Sequence, residues 1–402
     1  MKRHWLWALA LTLVAASAPA ADTIIFGAAI SITGKTAKEG EYTRDGYQFA
    51  IDKINQMGGI RVGGKSYSVA LKYYDDETKS DRSAQLFEKL INEDKVNLLL
   101  GPYGSSPTGT AAPIAERYRI PMVEANGSAE STFSKGYAYT FMTLSPAKLY
   151  LRGIIDVVRA KDPTAKTVAI LGENESFSKE VAAGAAEYAK EKGMEVVYDE
   201  LYPSNTQDVS ALLTAIKGKN PDIILGSGHL QDSLLIVKQA KDLSVAPRAM
   251  GFSVGPSSPE FRENLKKGAD YIFGATQWTE ALGYNGDDPW RTPKAFGEAF
   301  RARHPDYKTI PYQVAESAVA VIAYQRAIEK AGTLDPTKVR DALAATDLMT
   351  FYGRVKFDSR GVNVYKPMAV EQYQPDGNKY TVWPSDVAER PALYPMPPWD
   401  KR

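Results

Sequence analysis

Leu98-Leu99-Leu100-Gly101-Pro102-Tyr103-Gly104-Ser105-Ser106 reads as the end of a buried strand that turns through small residues straight into a helix. The apolar run 96–100 stops at Gly101, and the helical stretch 106–118 follows without a linker. Strand, tight turn and helix in that order build a parallel sheet, because a parallel partner strand is reached only through a crossover. In such sheets ligands bind beyond the carboxyl ends of the strands, where helix-start amides face a crevice. The turn at 101–106 is therefore a candidate site as well as a marker of the fold.

Working outward, the same alternation covers most of the chain. Upstream lie a strand at 23–31, a helix at 42–57 ended by Gly58-Gly59, a strand at 67–74 and a helix at 80–92; downstream comes a strand at 120–125. The rhythm restarts after 140–144. Helices at 147–160, 179–192, 209–217 and 231–243 alternate with strands at 167–171, 195–202, 222–225, 248–252 and 271–275. Helices follow at 293–303, 312–331 and 336–345, then a strand at 353–357 and a hairpin, 368–373 with 380–383, around Pro375-Asp376-Gly377-Asn378. The Pro-rich stretch 391–398 has no periodicity and reads as a surface strap or a frayed end. Two successive α/β sets predict two doubly wound parallel-sheet lobes.

The amino terminus begins Met1-Lys2-Arg3-His4, continues through an apolar run at 5–16 and reaches the small residues 17–21. That is the order of a secretory signal with cleavage after Ala20, and the apolar run is shorter than the ~20 residues a membrane span needs. About 380 residues then remain, more than one core usually supports, which predicts two domains. The chain has no cysteine, which excludes disulfides, a lipidated cysteine and thiolate zinc sites. Net charge is +1 with acidic and basic residues intermixed, so the electrostatic footprint of a nucleic-acid binder is missing. Of the three histidines, His4 leaves with the signal, and no histidine-rich metal site is expected. No G-x-S-x-G, H-E-x-x-H or calcium-loop pattern occurs, so neither a catalytic site nor a cofactor is expected.

Candidate residues follow from the strand ends. The hydroxyls and free amides of Ser105 and Ser106 suit a carboxylate; the plain alternative is N-capping. Glu124-Ala125-Asn126-Gly127-Ser128 is a second small polar turn, placed beside the first if the strands are adjacent. Ser31-Ile32-Thr33-Gly34-Lys35-Thr36 fails as a phosphate loop, because the required first glycine falls at Ala29; it reads as a cleft-lining loop with 36–39 close to the ligand. His229 follows a strand and is either a site-edge contact or a loop histidine.

Taken together, the loop 31–40, Thr43-Arg44-Asp45-Gly46, the stretch 54–60, Tyr74-Asp75-Asp76-Glu77, 101–106 and 125–128 resemble the type 1 periplasmic binding proteins of ABC importers, in the branched-chain amino acid receptor group. Weaker similarity continues through 169–177, 222–229 and Met250-Gly251. The resemblance implies two lobes joined by a three-segment hinge, 22–144 with 277–350 and 145–276 with 351–402. It implies Ser105 as carboxylate anchor, Asn126 and Ser128 as its partners, Phe177 and His229 as second-lobe contacts, and Glu39 at a position commonly aromatic.

One departure concerns charge. Amino-acid-binding members carry an acidic residue after the position of Met250-Gly251, where this chain has Phe252-Ser253. A buried ammonium without a counter-charge is costly, so a standard α-amino acid fits only if Glu39 or Glu124 supplies it. Tyr103, Phe177, Phe252 and Trp278 are candidate wall residues for an apolar or aromatic acid, and core packing is the alternative for each. The expected protein is a monomeric, non-enzymatic periplasmic receptor that binds a small solute for an inner-membrane permease. A ligand-sensor subunit would read alike, and a secreted hydrolase would need a nucleophile beside His229 or His304.

Overall fold

The computed structural model describes residues 22–402; the expected signal segment 1–20 and its cleavage point lie outside them. The first run is β1 (Thr23–Ile30), α1 (Ala37–Gln56), β2 (Ile60–Val62), β3 (Lys65–Asp75), α2 (Ser80–Asn92), β4 (Leu98–Leu100), α3 (Ser105–Tyr118), β5 (Met122–Glu124), α4 (Glu130–Phe133) and β6 (Thr140–Met142). Its strands make one sheet in the order β2-β3-β1-β4-β5-β6, parallel except where β2 meets β3.

The second run is α5 (Arg152–Lys161), β7 (Thr167–Glu173), α6 (Ser176–Glu191), β8 (Glu195–Tyr202), α7 (Ser210–Lys219), β9 (Ile223–Ser227), α8 (Leu230–Asp242), β10 (Ala249–Phe252), α9 (Pro259–Leu265) and β11 (Phe273–Thr276). After α10 (Pro293–Arg303), α11 (Tyr312–Ala331), α12 (Pro336–Ala344) and the small hairpin of β12 (Asp347–Thr350) and β13 (Gly353–Lys356) come β14 (Ala369–Tyr373) and β15 (Lys379–Trp383). The second sheet runs β15-β14-β11-β10-β9-β7-β8, with β14 and β15 its antiparallel edge.

Strand alternation builds a core on each face of both sheets. In β4, Leu98 and Leu100 pack with α1 and α11, while Leu99 turns to α2 and α3. In β7, Val168 and Ile170 join the first of these cores, and Ala169 and Leu171 face α7, α8 and α9. The largest core is continuous from one lobe to the other through Ala147, Tyr150 and Phe177, so the two halves are closed on each other.

Several boundaries differ from expectation. Helix α1 starts at Ala37 rather than 42, with Glu39 in its first turn, where a carboxylate complements the helix dipole. The expected helix 147–160 is broken into a 3-10 turn, Ala147–Leu149, and α5. The hairpin β2–β3 turns through Gly63 and Gly64, both at positive φ, a conformation glycine adopts without cost. Residues 353–356, expected in the second lobe, pair with 347–350, and Val362 bridges Met142 of the first sheet, so the chain returns to the second sheet only after 362. The Pro-rich tail is a strap: Met396 N donates to the Arg248 carbonyl, and Trp399 Nε1 to that of Val245.

Three passages link the sheets, after β6, after β11 and before β14, and one polar knot ties them. Ser145 N donates to Gln277 Oε1 and Gln277 Nε2 to the Ser145 carbonyl, both at 3.1 Å. The Ser145 hydroxyl donates to the Lys366 carbonyl at 2.8 Å, and the Lys366 ammonium donates to the carbonyl of Gln277. Burial pulls the Lys366 ammonium down to about 7, against the opposing pull of the Glu316 carboxylate.

Candidate functional site

The strand orders create two switch points. In the first sheet β1 sits between β3 and β4, and in the second β7 sits between β8 and β9. At such points consecutive crossovers leave in opposite directions and open a crevice at the carboxyl ends of the strands. The loops after β1, β4, β7 and β9 meet there around a cavity of about 550 Å³.

Each loop is held by its own hydrogen bonds. Behind β1, Asp75 accepts from Ile32 N, Thr33 N, Thr33 Oγ1 and Glu77 N, and Asp76 from Ser31 Oγ and Thr78 N. This fixes Lys35 at the mouth, where its Nζ lies 2.7 Å from Glu173 Oε1 and 3.0 Å from Asp232 Oδ1, and donates to the Ser204 carbonyl. Burial alone would lower the Lys35 ammonium, but Asp232 and Glu173 outweigh it and hold it above the usual lysine range. The β4 loop enters α3 through Gly104 at φ 91°, and α3 has no side-chain cap. Its first amides therefore stand unpaired at the cavity wall.

Across the mouth, Glu175 caps α6 by accepting from Phe177 N and Ser178 N, and takes a 3.2 Å bond from Ser106 Oγ. His229 Nδ1 lies 3.0 Å from the Tyr103 hydroxyl, and its backbone N donates to Asp232 Oδ2. Phe177 packs between Tyr150 and His229, with ring centroids 5.0 and 5.5 Å away.

Of the residues singled out in the sequence, Tyr103, Ser105, Ser106 and His229 line the cavity. Ser105 Oγ also accepts from Ala129 N at 3.0 Å, so it braces the neighbouring turn; neither it nor Ser106 caps α3, where Gly104 is the N-cap. Asn126 and Ser128 are buried beside the cavity but do not line it, and Asn126 Nδ2 donates to Ser317 Oγ. Glu39 is buried and accepts from Leu230 N of the other lobe, and burial raises its carboxyl. Ser253 Oγ clasps both the N–H and the carbonyl of Gly228. Phe252 and Trp278 are core residues: Phe252 packs on Phe261, and Trp278 on Phe296 and Phe351 with its Nε1 donating to the Phe351 carbonyl. Glu124, the other expected counter-charge, is consumed by Asn126 N, Gly127 N and Thr108 Oγ1, and burial pushes its carboxyl up to about 8.

Sequence reasoning missed Lys35, Glu173, Glu175 and Asp232 as site residues. Their positions after strands were visible, but their pairing runs between lobes and leaves no local spacing. Of the two histidines among the described residues, His229 is bonded to Tyr103, and His304 stacks on Phe300 at 4.5 Å, away from the cavity.

Residues 23–378 match the family model described as periplasmic binding protein. The chain is 30% identical over 356 residues to the leucine-, isoleucine-, valine-, threonine- and alanine-binding protein of Pseudomonas aeruginosa, covering 88% of this chain and 91% of that one. It is 27% identical over 400 residues to a Leu/Ile/Val-binding protein homolog of Brucella suis, covering 94% and 95%. Among solved structures it is similar to a leucine-binding protein of Thermotoga maritima, with TM-score 0.79, 21% identity and coverage of 89% and 97%. It is also similar to a solute-binding protein of R. palustris in complex with benzoate, with TM-score 0.77, 18% identity and coverage of 92% and 97%.

Proposed function

Because the chain belongs to the periplasmic binding protein family, whose members similar to it are solute-binding proteins and not enzymes, we propose that it is the periplasmic receptor of an ABC importer and traps a small carboxylate-bearing solute between its lobes. The observation that carries this reading is the cavity of about 550 Å³ walled by switch-point loops from both halves. A solute held there touches both lobes only when they are closed, and so shifts an open–closed equilibrium toward the closed state.

The carboxylate end is assigned to the start of α3. Uncapped amides, the dipole of a 14-residue helix and the Ser105 and Ser106 hydroxyls supply donors to an anion. The cargo named for similar proteins supports the choice, since aliphatic amino acids and benzoate share little except a carboxylate. Micromolar capture corresponds to about −8 kcal/mol, within reach of a few charge-assisted hydrogen bonds and apolar burial. The closed form then docks on an inner-membrane permease, after export and removal of residues 1–20, as a monomer.

The test is isothermal titration of the purified chain against amino acids and against aliphatic and aromatic acids, followed by small-angle scattering with and without the ligand. The reading expects one carboxylate class to bind with one-to-one stoichiometry and the particle to contract. Binding with equal affinity by the corresponding alcohols or amides would overturn the carboxylate assignment.

A further inference from the structure

We propose that the second-lobe corner of Glu173, Glu175 and His229 binds a divalent metal ion of the zinc class when the lobes part, and that Lys35 of the first lobe competes for that corner on closure. The competition rests on reading the halves as lobes that open and shut; the metal corner does not depend on what the solute is. All three side chains are placed by the second sheet. Strands β7 and β9 are parallel neighbours, with Gly172 beside Ser227, so Glu173 ends one strand where His229 follows the other. Glu175 is pinned by accepting from Phe177 N and Ser178 N. One oxygen of each carboxylate and one ring nitrogen of His229 lie within 4.8 Å of one another.

Spacing suits a metal ion. Two ligands about 2.1 Å from zinc are about 3.4 Å apart in a regular tetrahedron and at most about 4.2 Å apart. His229 Nε2 stands 3.8 Å from Glu175 Oε1, inside that range and beyond direct hydrogen-bond reach. Two carboxylates and one imidazole, with a position left for water, are ligands that zinc accepts without any cysteine. Glu173 adds an independent observation: it is 3% exposed and lines the cavity, yet its Oε2 has no hydrogen-bond partner. A buried carboxylate oxygen without a donor is costly, and a cation at the corner removes that cost.

Charge assigns the metal to the open state. Glu173, Glu175 and Asp232 all belong to the second lobe, and among the described residues the only lysine or arginine paired with any of them is Lys35. Lys35 comes from the β1 loop of the first lobe, so opening withdraws it and leaves three carboxylates without a counter-charge. Opening also frees the His229 imidazole from Tyr103. A divalent ion then offsets most of the excess charge at a corner whose ligands stay on one rigid sheet. On closure the Lys35 ammonium returns to 2.7 Å from Glu173 Oε1, where a bound metal would repel it. Metal binding and closure therefore oppose each other.

The experiment titrates zinc chloride alone into the tag-free chain, without solute, and compares wild type with His229→Gln, Glu173→Gln and Lys35→Met. The expected result is one zinc per chain, weakened about tenfold or more in H229Q and in E173Q. In K35M zinc should bind about fivefold tighter or more, because the competing cation is gone. A gain of affinity cannot come from loss of folded protein, so K35M keeps the test decisive if either ligand variant folds poorly. Small-angle scattering of the wild type should show a larger radius of gyration with zinc than without. No saturable zinc binding by wild type or K35M would overturn the proposal, as would binding that both H229Q and E173Q leave unchanged. Equal zinc affinity of K35M and wild type, with no change in radius of gyration, would overturn the competition. None of these failures touches the solute reading, which is tested by carboxylate titration in the absence of metal.

Discussion

Replacing Lys35 with methionine tests whether the closed state is latched by charge. The lysine head joins the β1 loop to Glu173 and Asp232, whose side chains are 4% and 6% exposed, while its own is 26% exposed. Methionine keeps the apolar stem but leaves two carboxylates facing each other's field when the lobes close. Removing one partner of a fully buried pair costs about 3–5 kcal/mol, and partial access of water to Lys35 reduces that to about 2 kcal/mol. Opening hydrates both carboxylates, so the penalty falls on closure and not on folding. About 2 kcal/mol is a roughly 30-fold drop in the closed-to-open ratio, and the apparent affinity for solute falls by up to the same factor. Small-angle scattering of the solute-free protein should show a larger radius of gyration for the variant, with a melting midpoint near that of wild type. Superimposable scattering curves together with affinity within twofold of wild type would refute the latch.

Ser105→Ala should weaken any carboxylate ligand by about 10- to 150-fold in calorimetry, since a hydrogen bond to a charged group is worth about 1.5–3 kcal/mol; unchanged affinity would put the carboxylate elsewhere. Lys366→Met should abolish a rise in thermal stability between pH 7 and 10. In that window the unfolded chain holds the lysine proton, with its ordinary pKa of 10.5, while the folded chain, at about 7, has released it, so wild-type stability climbs with pH; equal slopes for both proteins would contradict the burial cost. Gly40→Ala should cost about 1–3 kcal/mol and lower the melting midpoint by several degrees, because a Cβ there would sit 1.8 Å from the Ser31 carbonyl oxygen; a wild-type melting curve would show that the β1 loop yields freely.

The fold was largely legible because burial on both faces of a parallel sheet leaves apolar runs, and helices between them keep their period. Helices 80–92, 293–303 and 312–331 and strand 195–202 have the bounds their patterns predict. The three-residue β2 and the four-residue β12 were missed, since so short a run carries no period, and α9, opened by Pro259, was absorbed into a loop. The cavity residues Tyr103, Ser105, Ser106 and His229 stood out because each follows a strand. Phe252 and Trp278 misled because aromatic residues next to a strand end fill a core as readily as they line a cleft. The Lys35 latch was illegible for another reason: its partners lie 138 and 197 positions away, and only the closed arrangement of the lobes brings them together.

The knot of Ser145, Gln277 and Lys366 clamps all three passages at one level, so a torsion in any of them drags the others. The halves then swing like a door on one pin, with a single angle to vary. Along that path Lys35, the Tyr103–His229 contact and the Leu230–Glu39 bond must all part together, which makes release an all-or-none event rather than a gradual peeling.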